Sequence, residues 1–111
     1  MLKEGHIVDQ YIVFDVSKQS FAISISTIER IIEFEQAKKT PETSNYFLGV
    51  IQYNDRILPV IDLGMRLYGK EFINKESSKI IVVMWKDNYI GLLVDDVFGV
   101  QSFNEGQFEK T

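Results

Sequence analysis

Few side chains in this 111-residue sequence have the type and spacing that catalysis or metal binding requires. The adjacent pair Asp95-Asp96 suggests a metal or acid–base site. However, neighbouring residues at the end of a strand point in opposite directions, so the two carboxylates are not expected to converge on one ion. A turn or capping role is the better prediction for this pair. His6 is the single histidine, and it lies near a terminus without an identifiable partner.

The residues that other kinds of site need are also absent from the sequence. There is no cysteine, which excludes a disulfide framework, a thiolate nucleophile and a zinc ribbon. Gly91 and Gly99 belong to no phosphate-binding pattern, since neither Gly-x-Gly-x-x-Gly nor Gly-Lys-Ser/Thr occurs. No nucleophile, base and oxyanion donor can be assembled. The sequence therefore predicts a binding module rather than an enzyme, with no catalytic residue, metal site or cofactor.

Charge and hydropathy narrow the possible partners. The chain has 12 basic and 16 acidic side chains, a net charge of −4, so nucleic acid and anionic lipid are poor partners. Its longest apolar run, residues 80–85, is far shorter than the ~20 residues that span a bilayer. The N-terminal residues do not form a signal peptide. We expect a soluble cytoplasmic protein without direct membrane insertion, folded as a single domain over residues 1–111.

The composition favours β structure, because 14 Ile and 10 Val stand against 2 Ala. Apolar runs separated by polar turns predict three hairpins, with strands at 11–16 and 21–26, 49–53 and 56–61, and 79–85 and 89–94. The second hairpin is expected to turn at Asn54-Asp55 and the third around Asp87-Asn88. Pro59 lies inside one of these runs, where it cannot donate a hydrogen bond, so it predicts an edge or bulge with one side of the sheet open.

Three short helical segments are predicted, one of them a turn through Tyr46-Phe47-Leu48 that Thr43 or Ser44 would cap. Ser26 and Glu29 have the capping-box spacing, and the helix that would follow places Ile28, Ile31 and Ile32 on one face. Asp62 is expected to cap a second helix at 63–68, with Gly69 ending it.

Four groups of residues, taken in order, carry a family resemblance. They are Gln10-Tyr11-Ile12-Val13-Phe14; Phe21-Ala22-Ile23-Ser24-Ile25 followed by Ile28-Glu29-Arg30-Ile31-Ile32; Phe47-Leu48-Gly49-Val50-Ile51 leading to Ile57-Leu58-Pro59-Val60-Ile61-Asp62-Leu63; and Gly91-Leu92-Leu93-Val94-Asp95-Asp96-Val97. Together they resemble the CheW-like domain, the adaptor fold of bacterial chemotaxis. The resemblance runs from about Gln10 to Val100, and its specificity comes from four motifs in the family order.

This resemblance implies an all-β fold with short helices, built from two small, five-stranded, SH3-like barrel lobes packed together with a groove between them. It implies a non-catalytic adaptor that couples the cytoplasmic tip of a chemoreceptor to the regulatory domain of a CheA-type histidine kinase in membrane-associated receptor arrays. The implied structural motif residues are Gly49, Asp62, Gly91 and Asp95. The candidate partner-binding residues are Ile28, Arg30, Ile31, Ile32, Val50, Asn54, Asp55 and Pro59; for the apolar ones, an ordinary core position is the alternative.

The sequence departs from the family pattern in charge and in length. Arg30 stands where the family usually has Glu, and Asn54-Asp55 stands where it usually has Arg-Gly. Residues 103–111 are polar and too short to supply the family's last strands, so those strands are expected to be missing. An edge left open in this way predicts a homodimer formed by strand exchange, or a segment of a longer protein.

Two other functions remain open at this point. One is a degenerate module that mainly self-associates. The other is a small β-barrel that binds a small ligand with the participation of Trp85 or Asp95.

Overall fold

The computed structural model describes residues 8–41, 44–70 and 76–104. Over these residues the chain forms strands and one short α-helix, in the order β1 Val8–Val16, β2 Gln19–Ser24, β3 Ile28–Glu33, β4 Phe47–Tyr53, β5 Arg56–Asp62, α1 Leu63–Tyr68, β6 Lys79–Trp85, β7 Asn88–Val94 and β8 Asp96–Asn104. The predicted β-rich class is confirmed. No helix among these residues is long and apolar enough to cross a membrane.

The strands form two sheets. One has three strands in the order β2-β1-β8, and the other has five in the order β3-β6-β7-β5-β4. All neighbouring strands are antiparallel except β5 and β7, which are parallel. The segment after β3 crosses to the far edge of the larger sheet, where Lys38 bridges to Val50 of β4.

The three predicted hairpins are confirmed as β1-β2, β4-β5 and β6-β7. Each is closed by a two-residue turn with positive φ at both central positions, the geometry whose twist matches that of paired strands. The turn residues are Ser17 and Lys18, Asn54 and Asp55, and Lys86 and Asp87. The third turn lies one residue earlier than the sequence predicted.

One of the three predicted helical segments is confirmed, and the turn predicted through Tyr46-Phe47-Leu48 is wrong, since Phe47 and Leu48 begin β4. Asp62 caps α1 by accepting a hydrogen bond from the Met65 amide, and Gly69 ends it in the left-handed conformation at φ 68°. The helix predicted from Ser26 and Glu29 is wrong. Ser24 caps a 3-10 turn over Ile25–Thr27, and the chain then continues as β3.

Strand β3 forms because its isoleucines find partners on β6. Ile31 pairs with Ile81 and Ile32 with Ile80, and a bulge between Ile28 and Arg30 keeps the ladder in register. Ile31 and Ile32 face opposite sides of the sheet, as successive strand residues do, and the bulge places Ile28 on the same side as Ile31. A spacing that also fits a helix is therefore used by a strand.

Two hydrophobic cores lie on opposite faces of the larger sheet. The first, called here the hairpin core, contains Ala37, Ile51, Tyr53, Leu58, Val60, Ile80, Val82 and Leu93. The second, the inter-sheet core, joins the two sheets through Phe14, Val16, Ile81, Val83 and Val94. Successive residues of β6 alternate between the two cores, as the period of a strand requires. Both faces of the larger sheet are therefore packed.

Strand β8 was not predicted. Residues 96–104 return along β1 and form one edge of the smaller sheet. A bulge between Val13 and Phe14 of the ladder leaves Phe98 without a register partner and places Gly99 at φ 120°. This irregularity breaks the alternation that sequence patterns detect. Only residues 103 and 104 of β8 belong to the segment 103–111 that was expected to lack the family's last strands, and residues 105–111 lie outside the described part.

Candidate functional site

An open cleft separates the β4-β5 and β6-β7 hairpins at one end of the larger sheet. Strands β5 and β7 are paired only through Val60–Gly91, Ile61–Leu92 and Asp62–Leu93. Before Val60, β5 remains paired with β4, and before Gly91, β7 remains paired with β6. The two hairpins diverge from this point, and the space between them has a volume of about 500 Å³.

Pro59 explains why the ladder stops where it does. The amide and carbonyl of Val50 both bond to Lys38, at 2.9 and 2.7 Å, so they do not bond to Pro59 opposite Val50. In an antiparallel pair of this kind, the backbone of both residues faces away from the partner. The nitrogen of Pro59 therefore faces β7, and it has no hydrogen to donate there. The predicted edge or bulge at Pro59 is wrong, because β5 is an interior strand and the β4-β5 register shift lies between Phe47 and Gly49; what Pro59 leaves open is the side of β5 that faces β7.

Apolar side chains form the walls of the cleft. Val50, Ile57 and Pro59 lie on one hairpin, and Trp85 and Ile90 lie on the other. Ile57 is 64% exposed and Trp85 is 59% exposed, which is unusual for large side chains in a domain with well-packed cores. Exposed apolar side chains that border one concave surface are typical of a binding site.

Aromatic side chains and two cations lie beside these walls. Tyr89 packs edge-on against Tyr53, with ring centroids 6.2 Å apart. The Arg56 guanidinium lies over the Tyr89 ring at 5.0 Å, and Lys86 lies over Trp85 at 5.4 Å. These cation–π contacts hold both positive charges against aromatic rings, and both residues are exposed, so the charges are accessible to an acidic group.

Tyr53 has a further feature. The residue is 7% exposed, and its hydroxyl is buried without a hydrogen-bond partner among the residues that the structure describes. By contrast, the neighbouring Tyr89 hydroxyl donates to Glu29 of the β3 bulge at 3.4 Å. A buried hydroxyl without a partner costs stability, so Tyr53 weakens the end of the hairpin core that adjoins the cleft.

The structure places the predicted partner-binding residues in three places. Val50 and Pro59 are opposite each other in the β4-β5 ladder, and both line the cleft. Asn54 and Asp55 form the exposed turn of the same hairpin, next to the cleft residues Tyr53 and Arg56.

The remaining predicted partner residues lie on β3. Ile28 and Ile31 pack against the inter-sheet core, and Ile32 packs against the hairpin core; all three are half-buried. Arg30 is exposed and opposite Val82 in the β3-β6 ladder. The structure therefore brings Val50, Pro59 and the turn together, and places the β3 isoleucines in the cores.

The two motif glycines sit where a side chain has no room. A Cβ on Gly49 would overlap the Lys38 carbonyl, and φ is 139° at this residue. A Cβ on Gly91 would lie 2.8 Å from Cγ2 of Ile80 in the hairpin core. Gly91 also belongs to the first pair of the β5-β7 ladder, at the inner end of the cleft.

The two motif aspartates bond to backbone. Asp62 caps α1, as described above. The Asp95 carboxylate accepts a hydrogen bond from the Ser17 amide at 2.8 Å, and its own amide donates to the Asp15 carbonyl at 2.9 Å. Asp95 therefore ties the β1-β2 turn to the junction of β7 and β8, which joins the two sheets.

Sequence reasoning missed Ile57, Arg56 and Tyr89 as cleft residues, and it considered Trp85 only for a small ligand. Ile57 alternates out of phase with the buried Leu58 and Val60, but Trp85 is in phase with the buried Ile81 and Val83, so no alternation signal could have identified Trp85. Trp85 and Asp95 lie near opposite ends of β7, so the structure does not bring them into one ligand site.

The groups that surround the cleft are of the kinds that bind other molecules rather than of the kinds that catalyse a reaction. Across residues 8–41, 44–70 and 76–104, no group of three acidic or histidine side chains is placed to hold a metal ion. The cleft has apolar walls, with aromatic rings and two cations beside them, and it is bordered by backbone that is not part of the β5-β7 ladder. Groups of these types are common at surfaces that bind other proteins, and none of those lining the cleft is arranged as a nucleophile with its base.

Comparisons with known proteins agree with this geometry. The CheW-like domain family model matches residues 10–111. The chemotaxis protein CheW of Thermotoga maritima is 33% identical over 110 residues, covering 99% of this chain and 70% of the relative. The chemotaxis protein CheW of Bacillus subtilis is 30% identical over 101 residues, covering 91% of this chain and 65% of the relative.

A solved structure is similar as well. The crystal structure of the scaffolding protein TtCheW from Thermoanaerobacter tengcongensis superposes with a TM-score of 0.83 at 27% identity, covering 90% of this chain and 68% of that one. The chain thus spans about two thirds of the length of these three proteins. A family model that covers most of the sequence, together with this shared fold, shows that the chain belongs to the CheW-like domain family of non-catalytic chemotaxis adaptors.

Proposed function

We propose that this chain couples the cytoplasmic tip of a chemoreceptor to the regulatory domain of a CheA-type histidine kinase. It acts in the cytoplasm, in association with membrane receptor arrays, as one domain of two lobes over residues 1–111. Family membership supports these partner kinds. The structural observation that carries the proposal is the apolar cleft. Ile57 and Trp85 are exposed there, and a partner protein that covers these two side chains would remove them from water and gain binding energy.

Calorimetric titration of the chain with a kinase regulatory domain, and separately with a receptor tip, tests the proposal. We expect binding to the kinase domain and no turnover of any substrate. Ile57→Asp should weaken the binding of the partner that uses the cleft, because it puts a charge on an apolar wall. Ile25→Asp is the matched control, since Ile25 is also exposed but lies in the 3-10 turn outside the cleft. Absence of binding to both partners would refute the adaptor function.

The charge pattern is proposed to decide which receptor or kinase is recognised. Arg30 and the Asn54-Asp55 turn are exposed, and charge placement sets partner choice more than affinity. Arg30→Glu should therefore change the relative affinities for a panel of kinase domains while the melting temperature stays the same. A panel with unchanged relative affinities would contradict this role.

Self-association is a further proposal. Strand β8 forms an edge of the smaller sheet, and Phe98 and Val100 on it are 56% and 51% exposed. An edge of this kind is a site for pairing with another chain, and exchange of strands between two copies would cover it. Size-exclusion chromatography with light scattering at micromolar concentration is the test. A stable monomer at every concentration would exclude the homodimer and leave the adaptor proposal intact.

A further inference from the structure

The inner end of the cleft leaves backbone groups outside the β5-β7 ladder. In a parallel ladder, a residue whose amide and carbonyl face the neighbouring strand forms hydrogen bonds with the two residues on either side of its register partner. Continued by one step from Val60–Gly91, the register would let the amide of residue 59 donate to the Tyr89 carbonyl. Since residue 59 is proline, that bond is absent.

The same orientation holds for the next residue that faces the cleft. Ile57 lies two positions before Pro59, so its amide and carbonyl point toward β7 as well. Ile57 and Tyr89 both line the cleft, and the β5-β7 ladder does not include them. Backbone donors and acceptors therefore border an apolar space from both sides.

This combination selects one kind of occupant. A helix has used its own backbone hydrogen bonds and offers none to a strand edge. An extended segment presents free amides and carbonyls on both sides, and alternate side chains enter the surface beneath it. The cleft provides both halves of this recognition, backbone groups at Ile57 and Tyr89 and an apolar cavity of about 500 Å³.

We propose that the cleft binds a short extended segment of a partner protein, whose backbone pairs with Ile57 and Tyr89 and whose apolar side chain enters the cavity. An acidic residue beside that side chain pairs with Arg56 or Lys86, which are held against aromatic rings next to the site. The inference rests on the proposed adaptor function, because it states how the same cleft engages its partner.

Peptide binding tests the inference directly. Overlapping peptides of about ten residues, long enough for one strand, are tiled across the kinase regulatory domain and the receptor tip. We expect at least one to bind and to protect the amide of Ile57 in hydrogen exchange. An analogue methylated on alternate backbone nitrogens keeps its side chains but loses its donors, so it should bind at least about tenfold more weakly.

Pro59→Val provides the matching test on the protein. Valine restores the amide, extends the β5-β7 ladder toward Tyr89 and closes the inner end of the cleft, so peptide binding should fall at least about tenfold. Pro41→Val is the control, since Pro41 is exposed and outside the cleft. Amide exchange at Tyr53 and Leu58 in both variants should stay at the wild-type level, which shows that the hairpin is intact.

The outcomes separate this inference from the adaptor function. If the kinase domain binds but no peptide does, or if the methylated peptide binds as well as its parent, the strand mode is overturned and the adaptor stands. If Pro59→Val binds peptide like the wild type, the open ladder is not the site. If neither whole partner binds, the adaptor function fails, and a peptide that still protects Ile57 would support the cleft alone.

Discussion

Replacing Gly91 by alanine tests whether the packing of the hairpin core requires a glycine at the start of the β5-β7 ladder. The added Cβ would lie 2.8 Å from Cγ2 of Ile80, 3.2 Å from Cδ2 of Leu58 and 3.4 Å from Cγ2 of Val60. All three neighbours are at most 1% exposed and belong to the hairpin core. The first distance is shorter than a methyl contact permits, and the core must shift.

The expected loss follows from two opposing effects. Overpacking a core costs about 1–3 kcal/mol. Removing a glycine restricts the unfolded chain and recovers about 0.4–1 kcal/mol. The net loss is therefore about 1–2 kcal/mol, which lowers the melting temperature of a domain of this size by about 4–10 °C.

Thermal unfolding followed by circular dichroism measures this loss. The control is Gly64→Ala in α1, where the nearest atoms to the new Cβ lie at 3.4 Å, an ordinary contact, and alanine should be neutral or stabilising. Ile80→Leu removes the Cγ2 methyl that the Gly91→Ala side chain would meet. In a double-mutant cycle the two changes should therefore compensate by about 1 kcal/mol. A Gly91→Ala melting temperature at or above wild type, or a cycle without coupling, would refute the steric explanation.

Three further changes test the site and its support. Tyr53→Phe removes the buried hydroxyl that lacks a partner and should leave stability equal or raise it by up to about 1 kcal/mol; a clear loss on melting would contradict this. Asp95→Ala should cost about 1.5–3 kcal/mol in denaturant unfolding, because the Ser17 amide loses a charged acceptor, and Asp95→Asn should restore most of it. Trp85→Ala should weaken cleft-dependent partner binding about tenfold or more in titration, with an unchanged melting temperature, since Trp85 is exposed.

The hairpins and α1 were predictable because their signals are local. Turn residues that tolerate positive φ stand between apolar runs, and Asp62 and Gly69 bracket a helix whose capping needs no distant partner. The β3 segment shows the limit of such signals. The spacing of its isoleucines fits a helix as well as a strand. The strand is the more stable form because β6 lies beside this segment and pairs with it, and the local sequence does not show that neighbour.

The candidate site was predicted in part. Val50, Pro59 and the Asn54-Asp55 turn were identified from the family motif, and they adjoin one cleft. Ile57 was missed and Trp85 was considered only for a small ligand, because each occurs in an apolar run where exposed and buried residues look alike. The direction of each side chain follows from strand register, which the hairpin turns and the cores decide together.

The sequence alone determined the β-rich class, the three hairpins, the capped helix, the family and the loss of a donor at Pro59, since each depends on residue type and short spacing. Only the tertiary structure decided that the missing donor faces β7. That direction depends on the hydrogen bonds between Val50 and Lys38. It also depends on the parallel pairing of β5 with β7, which belong to hairpins distant in the chain. The cleft results from contacts between segments that are distant in the chain, and short-range sequence patterns do not predict such contacts.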